Sequence, residues 1–406
     1  MKIEFTVFKK VFLTLILSLS SLGVIGQTWT NYDASDGLID GFINGISQDN
    51  NENLWFGSWG NANGPFTFGL SKFDGTTFTT YSTNNGLSND EVWDVLADTS
   101  GNIWVATSDG LSKFNGTSWT VLTSADGLIG NNIHSLFLDD NGDLWVGCSN
   151  LDSGEYGVNN FDGTTWTSYL GISTGTMAQS NNGNLWFGGF GVYEFDGANW
   201  TYYDDTNGLS SNNVFAISVD VDNNLWVGNY SGLGLDKFDG TSWTTYTTAD
   251  GLSNNKVRAI IKDSNENMWF GTNEGVSKFD GTTWTTYNVS DGLIENHVRS
   301  LKEDVEGNIW IGTWGGVSKL NPILGVFDTL KQEFHIYPNP TTSYLNINTK
   351  AIVFAVDIYS ISGNKVMTID EVKLNQIEVS SLNSGVYFIK ITSQDNLVGI
   401  KRFIVK

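Results

Sequence analysis

Apolar residues in this chain gather into short runs, each ended by Gly, Asn, Asp or Thr, and the pattern returns at a nearly fixed distance. Its strongest member reads Asn-Leu-Trp-Phe-Gly or a close variant, centred on Trp55, Trp104, Trp145, Trp186, Trp226, Trp269 and Trp310, with spacings of 49, 41, 41, 40, 43 and 41 residues. Four-stranded propeller blades recur every roughly 40–45 residues. The spacing therefore predicts an all-β ring, a seven-bladed β-propeller.

Within one unit, residues 257–260, 267–272, 275–281 and 283–287 read as four short antiparallel strands rich in β-branched and aromatic residues. Asp280-Gly281 predicts a tight hairpin between the last two, and no helical period competes. The run around each Trp is continuous, as in Leu225-Trp226-Val227, which predicts a strand covered on both faces. Two residues further stands Gly57, Ala106, Gly147, Gly188, Gly228, Gly271 or Gly312, on the same face as the Trp. Bare backbone at that point predicts the close approach of a neighbouring aromatic ring.

The outer strand carries Phe78, Trp119, Trp166, Trp200, Trp243 and Trp284, but blade 7 ends at Leu320-Asn321-Pro322 without one. The missing copy lies at the other end of the chain, where Thr28-Trp29-Thr30-Asn31-Tyr32 matches Thr283-Trp284-Thr285-Thr286-Tyr287. This N-terminal strand is expected to close blade 7 and so to leave no open edge.

The propeller is expected over residues 27–321. Three of four prolines, Pro322, Pro338 and Pro340, fall after the last repeat, so 322–333 reads as a linker and 334–406 as a second domain. Its alternating segments, such as Gly385-Val386-Tyr387-Phe388-Ile389-Lys390, predict a small Ig-like β-sandwich. At the other end, Lys9 and Lys10 precede the apolar run from Val11 to Leu19, and small residues follow to Gly26. Residues 1–26 therefore read as a cleaved export signal, and no other run is long enough to span a bilayer.

Removal of that signal leaves 18 basic and 43 acidic residues, a charge of −25, which disfavours nucleic acid and anionic lipid as partners. One cysteine, Cys148, excludes an internal disulfide; it occupies the repeat position of Thr107, Thr272 and Thr313 and reads as a packing substitution. No cofactor or metal is expected, and the protein is expected to be a monomer. Hairpins such as Asp139-Asp140-Asn141-Gly142-Asp143 look like oxygen-rich calcium loops but lack the bidentate Glu of an EF-hand, so they read as turns. Gly171-Ile172-Ser173-Thr174-Gly175 fits G-x-S-x-G, yet that elbow needs a strand turning into a helix. His134 and His297 hold different repeat positions, which argues against a shared acid–base pair or metal.

The Asn-Leu-Trp-Phe-Gly and Gly-Leu-Ser-Lys-Phe-Asp blocks over residues 28–321 resemble the two-component regulator propeller repeats of hybrid histidine kinase sensor regions. Tyr337-Pro338-Asn339-Pro340, the Gly385–Lys390 block and the basic finish from Lys401 to Lys406 resemble the type A sorting domain of type IX secretion cargo. That resemblance implies passage across the outer membrane of a Gram-negative bacterium, contact with the secretion machinery, and removal of the tail by a surface peptidase. The protein is thus expected to be secreted or held at the cell surface. Unlike the kinase sensors, the sequence shows no transmembrane helix or kinase after the propeller, which argues against signalling in cis.

The repeat also separates framework from function. Of 16 tryptophans, seven belong to the second strand and six to the outer strand, leaving Trp59, Trp93 and Trp314. Trp59 and Trp314 are expected in the loop after strand two, and Trp93 near the start of strand one, all on one face of blades 1, 7 and 2. At the Trp93 position the other blades carry Asn44, His134, Gly175, Phe215, Arg258 and Arg299; at the Trp59 position they carry Ser108, Ser149, Phe190, Tyr230 and Asn273. Such variation between fixed strand residues predicts a ligand-binding face. Its candidate residues are Trp59, Trp93, Trp314, Arg258, Arg299, Asn44, His134, Phe215 and Tyr230, suited to stacking on a sugar while donors hold its hydroxyls. The resemblance to sensors associated with oligosaccharide perception favours a glycan. Three alternatives stand beside it: a propeller-based polysaccharide lyase or hydrolase, a protein scaffold or adhesin, and a purely structural role in which the arginines pair with the abundant carboxylates.

Overall fold

Seven antiparallel four-stranded sheets follow one another between Thr28 and Asn321. The computed structural model describes residues 28–39, 41–60, 68–321, 334–349, 353–360, 365–370, 376–393 and 398–406. The expected export signal (1–26), the linker (322–333) and nearly all of the loop 61–68 lie outside the described residues. Blade 1 is Phe42–Gln48, Leu54–Trp59, Gly69–Phe73 and Phe78–Tyr81, and the next five repeat this meander.

Blade 7 takes three strands from the end of the ring, Val298–Glu303, Ile309–Thr313 and Val317–Asn321, and its fourth from the beginning. Thr28–Tyr32 runs antiparallel to Val317–Asn321, with Thr28 opposite Asn321 and Tyr32 opposite Val317. Tyr32 stacks on Trp310 at 5.7 Å and also meets Phe73 and Phe78 of blade 1 at 5.2 and 5.7 Å. Ser318 Oγ donates to Asn31 Oδ1 at 2.7 Å, and Asn31 Nδ2 donates to the Gly292 carbonyl. The two ends of the ring are therefore joined by backbone, side-chain and ring contacts together.

The seven central tryptophans are all buried, none more than 6% exposed. Burying an indole requires a partner for its N–H, and the hairpin before it supplies one. The acceptor is Asp49, Asp98, Asp139, Asp220, Asp263 or Asp304, with Ser180 in blade 4. The other carboxylate oxygen caps the turn, as where Asp263 Oδ1 accepts the amides of Asn265 and Asn267. The acidic hairpins thus shape the turn and hold the Trp at once.

The glycines beyond these tryptophans admit something other than the expected aromatic ring. A Cβ on Gly57, Gly228 or Gly271 would lie 2.5, 2.7 or 2.5 Å from Cγ1 of Val92, Val257 or Val298 respectively. The close neighbour is a β-branched residue at the start of the next blade's first strand, which fits the narrow gap between twisted sheets. Ring stacking on the Trp comes from its own blade, as Tyr81 on Trp55 and Tyr287 on Trp269.

Two local expectations differ from the structure. Phe279 pairs with Trp284, so Asp280-Gly281 belongs to a four-residue loop whose Asp280 Oδ1 accepts the Thr282 and Thr283 amides. The Asp side chain replaces the two-residue turn with its own. Helix is also present, as short 3-10 turns at Ala34–Asp36, Thr83–Asn85, Ser124–Asp126 and Val289–Asp291, each closed by a capping box. They are too brief to show a period. Each ends on glycine; Gly292, at φ +121°, would bring a Cβ within 2.5 Å of Trp29.

The second unit is a β-sandwich. One sheet is His335–Tyr337, Tyr344–Asn348 and Gln376–Glu378; the other orders Lys365–Asp370, Val353–Ser360, Gly385–Ser393 and Val398–Val405. Leu345, Ile347 and Ile377 of the first sheet share one buried core with Val356, Ile358, Ile389, Ile391 and Phe403 of the second. Asn339, within the Tyr-Pro-Asn-Pro motif, ties the opening of this unit to its final strand: Nδ2 donates to the Arg402 carbonyl and Oδ1 accepts the Ile404 amide.

Candidate functional site at the ring axis

The first strand of six blades skips one residue in its pairing with the second. The skips fall between Ile43 and Gly45, Val92 and Asp94, Ile133 and Ser135, Val214 and Ala216, Val257 and Ala259, and Val298 and Ser300. The residues passed over are Asn44, Trp93, His134, Phe215, Arg258 and Arg299. In blade 4 the equivalent Gly175 stands just before the strand Thr176–Gln179. A bulged residue has no ladder partner and its side chain is re-aimed. All seven line one cavity of about 200 Å³ at the axis.

A residue fifteen positions later supports most of these side chains. Trp93 Nε1 donates to Ser108 Oγ at 2.9 Å, His134 Nε2 and Ser149 Oγ lie 2.9 Å apart, and Arg258 Nε donates to Asn273 Oδ1 at 3.2 Å. Phe215 packs on Tyr230 at 5.2 Å, and the Arg258 guanidinium lies 3.9 Å from the Tyr230 ring centre. In blades 7 and 1 the support crosses the closure instead. Arg299 Nε donates to Asn44 Oδ1, with the guanidinium 5.8 Å from the Phe42 ring and 5.6 Å from Trp59.

The three spare tryptophans do lie in one arc, but they are not adjacent throughout. Trp59 meets Trp93 at 5.0 Å and Phe42 at 5.9 Å; Phe42 stacks on Trp314 at 4.8 Å, and Trp314 on His297 at 4.3 Å. Phe42 supplies the link that repeat subtraction missed. Trp59 ends the strand Leu54–Trp59 opposite Phe42 rather than lying in a loop, because blade 1 extends its hairpin. Trp59, Trp314 and Tyr230 are not among the residues lining the cavity; Trp59 packs on Trp93 and Tyr230 on Phe215, which do line it, whereas Trp314 packs on Phe42 and His297, which do not.

Charge in the cavity departs from the expected structural pairing. Among the described residues the ion pairs are Lys237–Asp220, His297–Glu295, Lys319–Glu306 and Lys365–Asp357. None includes Arg258 or Arg299, although the chain has 44 acidic residues. Burial, and then the charge of Arg258, lower Arg299 to about 10. Burial disfavours the His134 cation. Asp94, the residue after the blade 2 bulge, also lines the cavity, and burial raises its carboxyl to about 7 against bonds from the Leu136 and Val95 amides.

The G-x-S-x-G segment joins the strands Trp166–Leu170 and Thr176–Gln179, with Ser173 Oγ accepting the Phe190 amide. A strand follows it, so the elbow geometry is missing. No helix among the described residues is long and apolar enough to cross a membrane.

The two component regulator propeller family matches residues 37–60, 86–109, 127–150, 208–231, 251–274 and 292–315. Blade 4, with Gly175 at the axis and Ser180 under its Trp, is the unmatched one. The secretion system C-terminal sorting domain matches 335–406. No curated protein matches the sequence. Among solved structures, the extracellular domain of a putative hybrid two component system from B. thetaiotaomicron is 19% identical with a TM-score of 0.61, over 93% of this chain and 57% of that one. The present chain thus spans little more than half the length of that relative. A streptogramin B lyase is 16% identical (TM-score 0.57, 73% of this chain, 97% of that one), and a catalytically inactive virginiamycin B lyase from Staphylococcus aureus is 14% identical (TM-score 0.57, 73% and 100%). At these identities the likeness shows the propeller fold alone. The chain thus carries six two component regulator propeller repeats and a type IX secretion sorting domain, which addresses it to the outer cell surface or beyond it.

Proposed function

We propose that the propeller binds a glycan at the axial cavity and its aromatic rim, and that it binds without cleaving. The observation carrying this reading is the set of axial bulges. They free one residue from the ladder in six blades, and these residues, Asn, Trp, His, Phe, Arg and Arg, line the cavity together with Gly175 of blade 4, a mixture of rings and donors suited to sugar. Trp314 in the arc and Phe215 in the cavity lining stay 40% and 41% exposed, so aromatic surface remains for a ligand.

Gly175 offers a clean test. A Cβ there would meet nothing within 4 Å, and its backbone lies outside the left-handed region. Gly175→Trp should therefore fill the cavity without straining the ring. The full chain is applied to a glycan array beside Gly175→Trp and the triple variant Trp59→Ala, Trp93→Ala, Trp314→Ala. Both variants should lose the glycans held by the parent, with Gly175→Trp keeping its melting temperature. Retention of every bound glycan by both would remove the axial site. New reducing ends or unsaturated products in the same incubations would replace binding with catalysis.

A further inference from the structure

Resting on the glycan reading, we infer that the ligand carries a carboxylate, as in a uronic-acid oligosaccharide, held between Arg258 and Arg299. These two residues occupy the axial bulges of neighbouring blades 6 and 7 and line the same cavity. Each is gripped through Nε by an amide oxygen, of Asn273 or Asn44, and each lies over aromatic rings: Tyr230 and Phe215 for Arg258, Phe42 and Trp59 for Arg299. Those supports fix the guanidinium groups but supply no counter-charge.

A guanidinium half-removed from water normally acquires a carboxylate. In a chain this acidic, such partners are abundant, yet among the described residues neither arginine has one within ion-pair distance. The two also repel each other, Arg258 being one of the causes that depress Arg299. Like charges lining one cavity with no ion-paired carboxylate are the arrangement that an anionic ligand relieves. The planar fork of guanidinium favours a planar two-oxygen acceptor. Asp94 does not take that role: its oxygens accept the Leu136 and Val95 amides, and it forms no ion pair with either arginine.

The test measures binding of the full chain by calorimetry to a panel of oligogalacturonate, oligomannuronate, oligoguluronate and glucuronoxylan fragments. Each is paired with its carboxyl-reduced counterpart, and sulfated oligosaccharides form a separate arm. At least one uronate should bind tenfold or more tightly than its reduced form, should weaken with added salt, and should lose that preference in Arg258→Gln/Arg299→Gln. The double variant's melting curve and its residual binding of the reduced sugar report whether the ring is intact. Equal binding of every acidic and reduced pair would overturn the carboxylate while leaving the glycan reading standing. A sulfated sugar preferred over every uronate would overturn it too, and binding of no sugar in any arm would remove both.

Discussion

Arg299 and Asn44 stand 255 residues apart in the chain, and the bond from Arg299 Nε to Asn44 Oδ1 crosses the seam where the ring closes. Axial site and closure therefore depend on the same juncture, since blades 7 and 1 are held in register by the strand Thr28–Tyr32 and by Tyr32 packed against Trp310 and Phe73.

Deleting residues 28–32 exposes the edge Val317–Asn321 and uncovers the Trp310 face. The melting temperature should fall by roughly 10 °C or more, as expected for the loss of several kcal/mol of packing and pairing. Scanning calorimetry checks this. A melt within about 2 °C of the parent would mean that the seam contributes little.

Gly271 and Val298 define the spacing between blades 6 and 7. Gly271→Ala places a methyl 2.5 Å from Val298 Cγ1 and should cost about 1–3 kcal/mol by overpacking. Val298→Ala in the same chain should relieve the clash, so the double variant should lose less than the two single losses together. Urea denaturation of the four proteins gives the coupling; strict additivity would contradict the contact.

Asp94 predicts a specific pH response. Its folded carboxyl titrates at about 7 because burial opposes the charge, whereas in the unfolded chain it ionises near 4. Between those values the folded ring binds the extra proton. The stability this group provides is therefore complete below about pH 4 and declines as pH rises towards 7, by an amount on the order of a few kcal/mol. Asp94→Asn should abolish that decline. His134, whose burial disfavours its cation, acts in the opposite sense and is common to both proteins, so the comparison isolates Asp94. Parallel stability–pH curves for parent and variant between pH 4 and 8 would refute the assignment.

The ring and its closure were legible because they rest on large residues at fixed spacing. Seven indoles every forty-odd positions, with an outer-strand Trp displaced to residue 29, leave few other arrangements. What remained hidden was backbone irregularity. A bulge adds one residue without a mark in hydrophobicity, so Asn44, Trp93, His134, Phe215, Arg258 and Arg299 could be aligned as variable positions but not placed on the axis. Phe42 went unnoticed because Phe is common at strand starts, and only its position opposite Trp59 makes it the bridge to Trp314. That neither arginine pairs with a carboxylate among the described residues was equally unreadable, since a sequence counts charges without saying which ones meet.

The hairpin-capped indole of each blade, held by Asp in six and by Ser180 in blade 4, has a consequence for how such a protein could diversify. Rigidity resides in the indole–hairpin and Val–Gly contacts of the sheets, while identity at the hub is set by seven residues, six of which are passed over by their own ladder. Exchanging only those seven would present a new chemical mosaic on an unchanged frame. A library randomised at residues 44, 93, 134, 175, 215, 258 and 299 would thus measure how far the chemistry of the hub can change while the ring keeps its fold.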